Sequence, residues 1–306
     1  MKSTPKVDLF VIGAPKCGTT SLAAALQRAS AFHVPHIKEP HFFCDDMPGM
    51  QRINRLADYD ALYEDAGDAR RVDCSVWYLS SSVAAQRIQS YNPSAQIIVM
   101  LRDPISMLPS LHNQLIFSGR EDISDFDVAW RMSGARRRGE DIPPNAAEKR
   151  HLEYDHIADF ENQIKPWLEL FKTNLHIIFF EDIIADEASE LARLGTFLGL
   201  PADGLSQGLP NENKSRAHRF PALSNLLMYP PFPFSTVKST VKRLIGPMAQ
   251  GRMRGFYSAL SHPAPKISIC PNVIAEIRAC YGSYDDLKSR IRATKAGYSA
   301  KGSPAP

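Results

Sequence analysis

Val7-Asp-Leu-Phe-Val-Ile-Gly13-Ala-Pro-Lys16-Cys-Gly18-Thr19-Thr20-Ser21-Leu22 decides the fold. Val7 to Ile12 is an apolar run that stops on glycine, the pattern of a strand buried on both faces. Leucines and alanines then recur at helical spacing from Ser21 to Ala29. Strand, glycine loop and helix open a βαβ unit. The loop concentrates Lys16, Gly18, Thr19, Thr20 and Ser21. Backbone N–H groups at a helix N-terminus, approached closely where glycine has no side chain, make an anion site, and lysine adds charge. An ordinary strand–helix turn capped by threonine is the plainer reading. The loop also departs from the nucleoside-triphosphate pattern, in which lysine directly follows the second glycine and the next Ser or Thr carries Mg²⁺. Here Thr19 follows Gly18 and the lysine stands earlier, so a phosphate cradle without that metal arrangement is expected.

Working outward, Gln96–Leu101 and Leu175–Phe180 are further continuous apolar runs. Helical patterns cover roughly 104–117, 125–138, 148–171 and 187–198, the last stopping at Gly199 and Pro201. Strands alternating with helices predict an α/β fold, a P-loop-like doubly wound parallel sheet flanked by helices. After Pro201 the character changes. Ten of the 23 prolines fall between Pro201 and Pro271, and Pro221, Pro230, Pro231 and Pro233 break up the apolar stretch Phe220–Thr236. Helices are expected near 237–245 and 272–291, with a frayed tail over 294–306. The expectation is a single domain over 1–306. Its core is about 7–200 and its loop- and helix-rich C-terminal elaboration about 201–293.

The 306 residues are 44% hydrophobic and 23% charged, with a net charge of +3, which excludes wholesale disorder, a coiled coil and a strongly basic nucleic-acid coat. No nucleic-acid partner is expected. Five irregularly spaced cysteines without a CxxC fit a reducing compartment, so the expected location is cytoplasmic. Met1–Lys6 before the apolar run has the look of a signal peptide. However, the run is short, contains Asp8 and lacks a small-residue cleavage site. No run of 18 apolar residues predicts a membrane span.

Other segments carry chemistry. Arg102-Asp-Pro104 ends the second apolar strand, where parallel sheets bind ligands, and a guanidinium fork suits phosphate. Capping by Asp103 is the alternative. Asn211–Arg219, with Lys214, Ser215 and Arg216, is a basic loop that either closes on a ligand or is simply solvated. Ile37-Lys38-Glu39-Pro40-His41-Phe42-Phe43 sets ionisable groups around an apolar turn. It reads as a reactive carboxylate or as a surface turn with an ion pair. His33, His36, His41 and Cys44 have no metal-knuckle spacing. Glu181-Asp182 reads as structural rather than metal-binding.

Gly13 to Leu22 resembles, throughout, the G-x-P-K-x-G-T-T-x-L loop of the sulfotransferase family. That family moves a sulfuryl group from 3′-phosphoadenosine 5′-phosphosulfate (PAPS) to a hydroxyl or amine. The resemblance implies that Pro15, Lys16, Cys17, Gly18, Thr19, Thr20 and Ser21 cradle the 5′-phosphosulfate. It implies that Arg102 and Ser110, from the family's R-D-P strand end with serine eight residues on, hold the 3′-phosphate. The late basic loop is similar to one that closes over the nucleotide. Lys38-Glu39-x-His41-Phe-Phe resembles the glycan, heparan-sulfate-type branch, so Glu39 inherits the role of general base and His41 that of its assistant. A bacterial-type member is expected. Asp73 to Tyr78 is similar to that branch's E-K-x-P-x-Y. Tyr78 matches, but Cys74 replaces the lysine and Val76 the proline, which weakens the case for an anionic sugar chain. Lys38 and Tyr78 are then expected to face the acceptor, a glycan or small-molecule hydroxyl. Lys16 would stabilise charge on the leaving oxygen of the product, PAP, with no metal required. A P-loop metabolite kinase using ATP and Mg²⁺ and a non-catalytic adenine-nucleotide sensor are the rival readings. The oligomeric state is not legible.

Overall fold

The computed structural model describes residues 6–210, 216–218, 261–263 and 267–301. Five strands form one sheet: β1 (Leu9–Val11), β2 (Phe32–His33), β3 (Arg70–Asp73), β4 (Gln96–Leu101) and β5 (Leu175–Phe179). They run parallel in the order β2-β3-β1-β4-β5. The expected P-loop-like α/β architecture is present.

The register places Phe10 of β1 beside Asp73 of β3 and Ile97 of β4. β1 is fully buried, as a central parallel strand covered on both faces must be. The chain leaves β1 towards β2 and β3 on one side and crosses to β4 on the other. The carboxyl ends of β1 and β4 therefore flank the point where the strand order reverses, and a crevice opens there.

Ten α-helices lie between residues 19 and 198. They are α1 (Thr19–Arg28), α2 (Leu56–Ala61), α3 (Ala84–Tyr91), α4 (Pro104–Phe117), α5 (Phe126–Arg131), α6 (Ser133–Arg137), α7 (Tyr154–Ile157), α8 (Phe160–Phe171), α9 (Phe180–Ala185) and α10 (Glu187–Leu198). Beyond 200 the described elements are β6 (Arg216–His218), β7 (Ser261–Pro263), α11 (Pro271–Tyr281) and α12 (Tyr284–Lys301). β6 pairs antiparallel with β7 and runs beside α4.

α4 and α10 match the sequence limits. Asp103 caps α4 through its carboxylate and Pro104 supplies the pre-set first position. Gly199, at φ 70°, ends α10. Four expectations need correction. The helix expected over 125–138 breaks at Met132. The one expected over 148–171 divides into a short 3₁₀ turn, α7 and α8, the last starting at Phe160. The helix expected over 272–291 breaks at Gly282, whose φ is 79°. The tail expected to fray from Thr294 instead continues α12 to Lys301. Leu287 and Ile291 are buried on one face of it, and Tyr298 follows about two turns later, its hydroxyl 3.0 Å from Glu169 Oε1. The helix expected at 237–245 and the stretch 220–236 lie outside the described residues.

Candidate active site

The loop after β1 leads straight into α1. Its last residue, Gly18, sits at φ 87° and caps the helix without any side-chain hydrogen bond, so the first-turn N–H groups of α1 stay open to an anion. A Cβ at Gly18 would lie 3.0 Å from the Phe180 ring, which adds a packing reason for glycine to the conformational one. Pro15 and Cys17 are buried beneath the loop, and the Cys17 thiol points at its own Pro15 carbonyl at 3.4 Å. Burial pushes that thiol's pKa up, so Cys17 is a structural thiol rather than a nucleophile.

Arg102, at the end of β4, reaches across the crevice. Its Nη1 donates to the Lys16 carbonyl at 3.1 Å, and its guanidinium lies over the Phe180 ring, 4.9 Å from the centroid. Its Nε is buried without a partner among the described residues. Lys16 stands close enough that burial, with the Arg102 charge next, holds its ammonium below the usual lysine range. Two cations side by side, an orphaned guanidinium N–H and an uncapped helix end together make a site suited to an anion. Ser110 lies in the second turn of α4, half-buried. Lys214 and Ser215 lie outside the described residues, and Arg216 is placed only as the first residue of β6.

The second half of the site is the turn 38–43. Lys38 joins it to the loop: its Nζ donates to Thr20 Oγ1 at 2.7 Å and lies 3.3 Å from Glu39 Oε1. Because Thr20 oxygen accepts from Lys38, its own hydroxyl proton is free to point at an anion. Three of the five non-glycine residues with positive φ among the described residues are Lys16, Glu39 and His41. Backbone of that kind costs on the order of 1–3 kcal/mol per residue and persists only where neighbours enforce it. Here they do. Arg52 donates from Nη1 to the Lys38 carbonyl and from its N–H to the Pro40 carbonyl, and His41 N–H donates to Ser75 Oγ at 3.0 Å.

Beneath the turn lies a network that sequence reading missed. Asp73, fully buried at the end of β3, accepts from Ser75 Oγ at 2.6 Å and from the Tyr59 and Tyr78 hydroxyls at 2.9 Å each. Burial pushes its carboxyl up to about 6, against the pull of those three hydrogen bonds. The only sequence signal for Asp73 was its place in the 72–78 segment, and nothing marked Tyr59.

Tyr78 is fully buried with its hydroxyl given to Asp73, so it holds up the turn from below rather than facing the crevice. His41 is also buried, its ring edge-on to Tyr78, and neither ring nitrogen has a partner among the described residues. Burial pulls its pKa down to about 4, although the Glu39 carboxylate pulls the other way. Glu39 keeps a quarter of its side chain exposed. Cys74 is buried. Glu181 accepts from the Asp103 N–H at 3.2 Å and from the Tyr284 hydroxyl, a structural task. Among the described residues no group of three His, Cys, Asp or Glu side chains is placed to hold a metal ion, and no helix is long and apolar enough to cross a membrane.

Residues 6–218 match the model of the sulfotransferase domain. A sulfotransferase from Alicyclobacillus acidocaldarius superposes with a TM-score of 0.59 at 26% identity, over 65% of this chain and 83% of that one. The sulfotransferase domain of the curacin biosynthetic pathway gives 0.43 at 17% identity over 64% and 75%. A mouse sulfotransferase, SULT7A1, complexed with PAP, gives 0.43 at 13% over 66% and 63%. No curated protein matches in sequence. The cradle between β1 and β4 and the match over 6–218 lead to one conclusion: the chain belongs to the sulfotransferase family.

Proposed function

We propose that the protein transfers a sulfuryl group from PAPS to the hydroxyl of an uncharged sugar or small natural-product alcohol, releasing PAP, in the cytoplasm. The observation that carries this reading is the meeting of Lys16 and Arg102 over an uncapped helix N-terminus. PAPS has two separate phosphate-bearing ends, and the crevice offers a cation to each. When bound, it supplies the activated sulfuryl group that moves to the acceptor oxygen.

The chain's own residues divide the work. The first-turn N–H groups of α1, with Thr19, Thr20 and Ser21, hold the 5′ end. Arg102, already stacked on Phe180, and Ser110 hold the 3′-phosphate. Lys16 stabilises charge that grows on the departing phosphate oxygen, and such charge-directed donors are commonly the largest catalytic contribution. Glu39 accepts the acceptor's proton. Its partial exposure beside Lys38 supports that role over His41, whose buried ring serves as the floor of the turn. Lys38 touches both Thr20 and Glu39, so occupation of the cradle is felt at the base. Cys74, buried where the glycan branch has a lysine, supports an uncharged acceptor over a heparan-type chain.

The donor assignment is tested by calorimetry. Arg102→Ala should weaken PAP binding by about 1.5–3 kcal/mol, the scale of a hydrogen bond to a charged group. Adenosine 5′-phosphosulfate, which lacks the 3′-phosphate, should bind weakly and feel the substitution little. Equal affinity of the wild type for PAP and adenosine 5′-phosphosulfate removes the assignment.

A further inference from the structure

On the outer side of β5, away from the donor cradle, lies a cavity of about 350 Å³. β5 is the edge strand of the sheet among the described residues. Three cations line the cavity: Arg193 of α10 and Arg292 and Lys295 of α12. Two carboxylates face them. Glu190 pairs with Arg193, while Asp182 pairs with Arg292 and also with Lys288 at 3.4 Å. That leaves Lys295 with no ion pair or hydrogen bond among the described residues, although it is half-buried.

His176 of β5 shares the cavity wall. Its ring stacks on Phe197 at 5.1 Å, and its buried Nε2 has no partner among the described residues. Burial, then the Lys295 and Arg193 charges, pull its pKa down to about 4, and burial alone pulls Lys295 down. A protein gains nothing in stability by half-burying an unpaired ammonium beside an unpaired imidazole. Unsatisfied polar groups of this kind are met by water or by an ion, and the positive surplus here selects an anion.

We propose that this cavity is a second anion site, separate from the donor cradle, that takes a phosphate-type oxyanion, either inorganic phosphate or a phosphomonoester. The positive surplus sits at Lys295, the flanking guanidinium groups offer fork donors suited to a tetrahedral oxyanion, and the His176 nitrogen supplies a further polar contact. The volume exceeds that of a bare ion and has room for a small esterified group. The turn from Phe179 to Asp182 divides the two sites. Phe179 and Asp182 line the cavity, whereas Phe180 stacks on Arg102 and Glu181 holds the Asp103 N–H.

The test titrates the full chain with inorganic phosphate and, separately, with phenyl phosphate, in wild type, Lys295→Gln, Lys295→Arg and Arg102→Ala. Calorimetry is paired with thermal melting. A phosphate site should persist in Arg102→Ala, be weakened about tenfold or more in Lys295→Gln, as expected for loss of a charged hydrogen bond, and be retained in Lys295→Arg. Tighter binding of phenyl phosphate marks a phosphomonoester site; equal binding marks the free ion. Without phosphate, Lys295→Gln should melt higher than wild type because an unpaired charge is gone, and saturating phosphate should erase that advantage. The proposal is overturned if Lys295→Gln leaves phosphate affinity unchanged, if Arg102→Ala abolishes all phosphate binding, or if Lys295→Gln melts lower with and without phosphate alike.

Discussion

The cradle at 13–22 and the turn at 38–43 touch through Lys38, yet they are built by opposite means. The cradle is made of backbone. One short run of sequence supplies its glycines, hydroxyls and lysine, while Arg102 reaches it from β4, Phe180 packs on Gly18 and Lys38 donates to Thr20. The turn is made of side chains from elsewhere. Ser75, Tyr78, Asp73 and Arg52 pin it, and three of them lie 30 or more residues on. A backbone site is legible as a motif, whereas a site held by distant partners is not. The difference also divides the proposed labour: the cradle should govern donor affinity and, through Lys16, departure of the leaving group, while the turn should govern activation of the acceptor.

The largest effect expected from that division is on rate. Glu39→Gln keeps the shape of the turn but removes the base proposed above. It should lower kcat by roughly 10²–10⁴-fold, the usual worth of general-base catalysis, and leave PAP affinity nearly unchanged. Arg102→Ala should do the reverse in kind, losing affinity first. If Glu39→Gln turns over normally and His41→Ala does not, the base is the buried histidine and the division of roles fails. Single-turnover assays with a verified acceptor read both.

A second difference should appear in stability. Asp73→Ala leaves three buried hydroxyl groups without their acceptor and should cost about 3 kcal/mol in urea unfolding. Thr20→Ala removes one half-exposed hydrogen bond from the cradle and should cost about 1 kcal/mol or less. Similar costs for the two would mean that the network under the turn is not what holds it.

The same contrast explains what the sequence disclosed. β1, β4 and β5 were visible because buried parallel strands are unbroken apolar runs. β2 is two residues long, and β3 reads Arg-Arg-Val-Asp, so neither shows such a run. Half-buried Arg70 is satisfied by donating to the Leu198 carbonyl and to Gln96, contacts that no local pattern announces. The residues proposed for phosphate were picked out by motif, and the structure sets Lys16 and Arg102 together. Tyr78 was read as facing an acceptor because the motif gives a residue type and not a direction. Only the packing of Tyr59, Ser75 and Tyr78 around one carboxylate shows which way it points. Nothing in the sequence marked Lys295 or His176, since a lone lysine on an amphipathic helix and a histidine in a strand are ordinary until their neighbours are known.

The finest test of the turn is its response to pH, because two buried groups there pull in opposite directions. Asp73 titrates in the folded protein near 6, above the ordinary carboxylate value of about 3.9, so the native state binds that proton more tightly than the unfolded chain. Its contribution to stability is complete below about pH 4 and is lost as pH rises through 6. His41 titrates near 4, below the ordinary histidine value of about 6.5, so the native state prefers the neutral ring. Its contribution is complete above about pH 6.5 and is lost as pH falls through 4. Between those limits the two slopes oppose each other, and neither exceeds about 1.4 kcal/mol per pH unit. Urea midpoints measured from pH 4.5 to 7.5 separate them. Asp73→Asn should lose stability more steeply than wild type on acidification, because the histidine is left unopposed. His41→Gln should lose it less steeply. A cradle substitution such as Thr20→Ala should run parallel to wild type throughout. If Asp73→Asn also runs parallel, the Asp73 carboxylate titrates as an ordinary acid, and the turn rests on packing rather than on a buried proton.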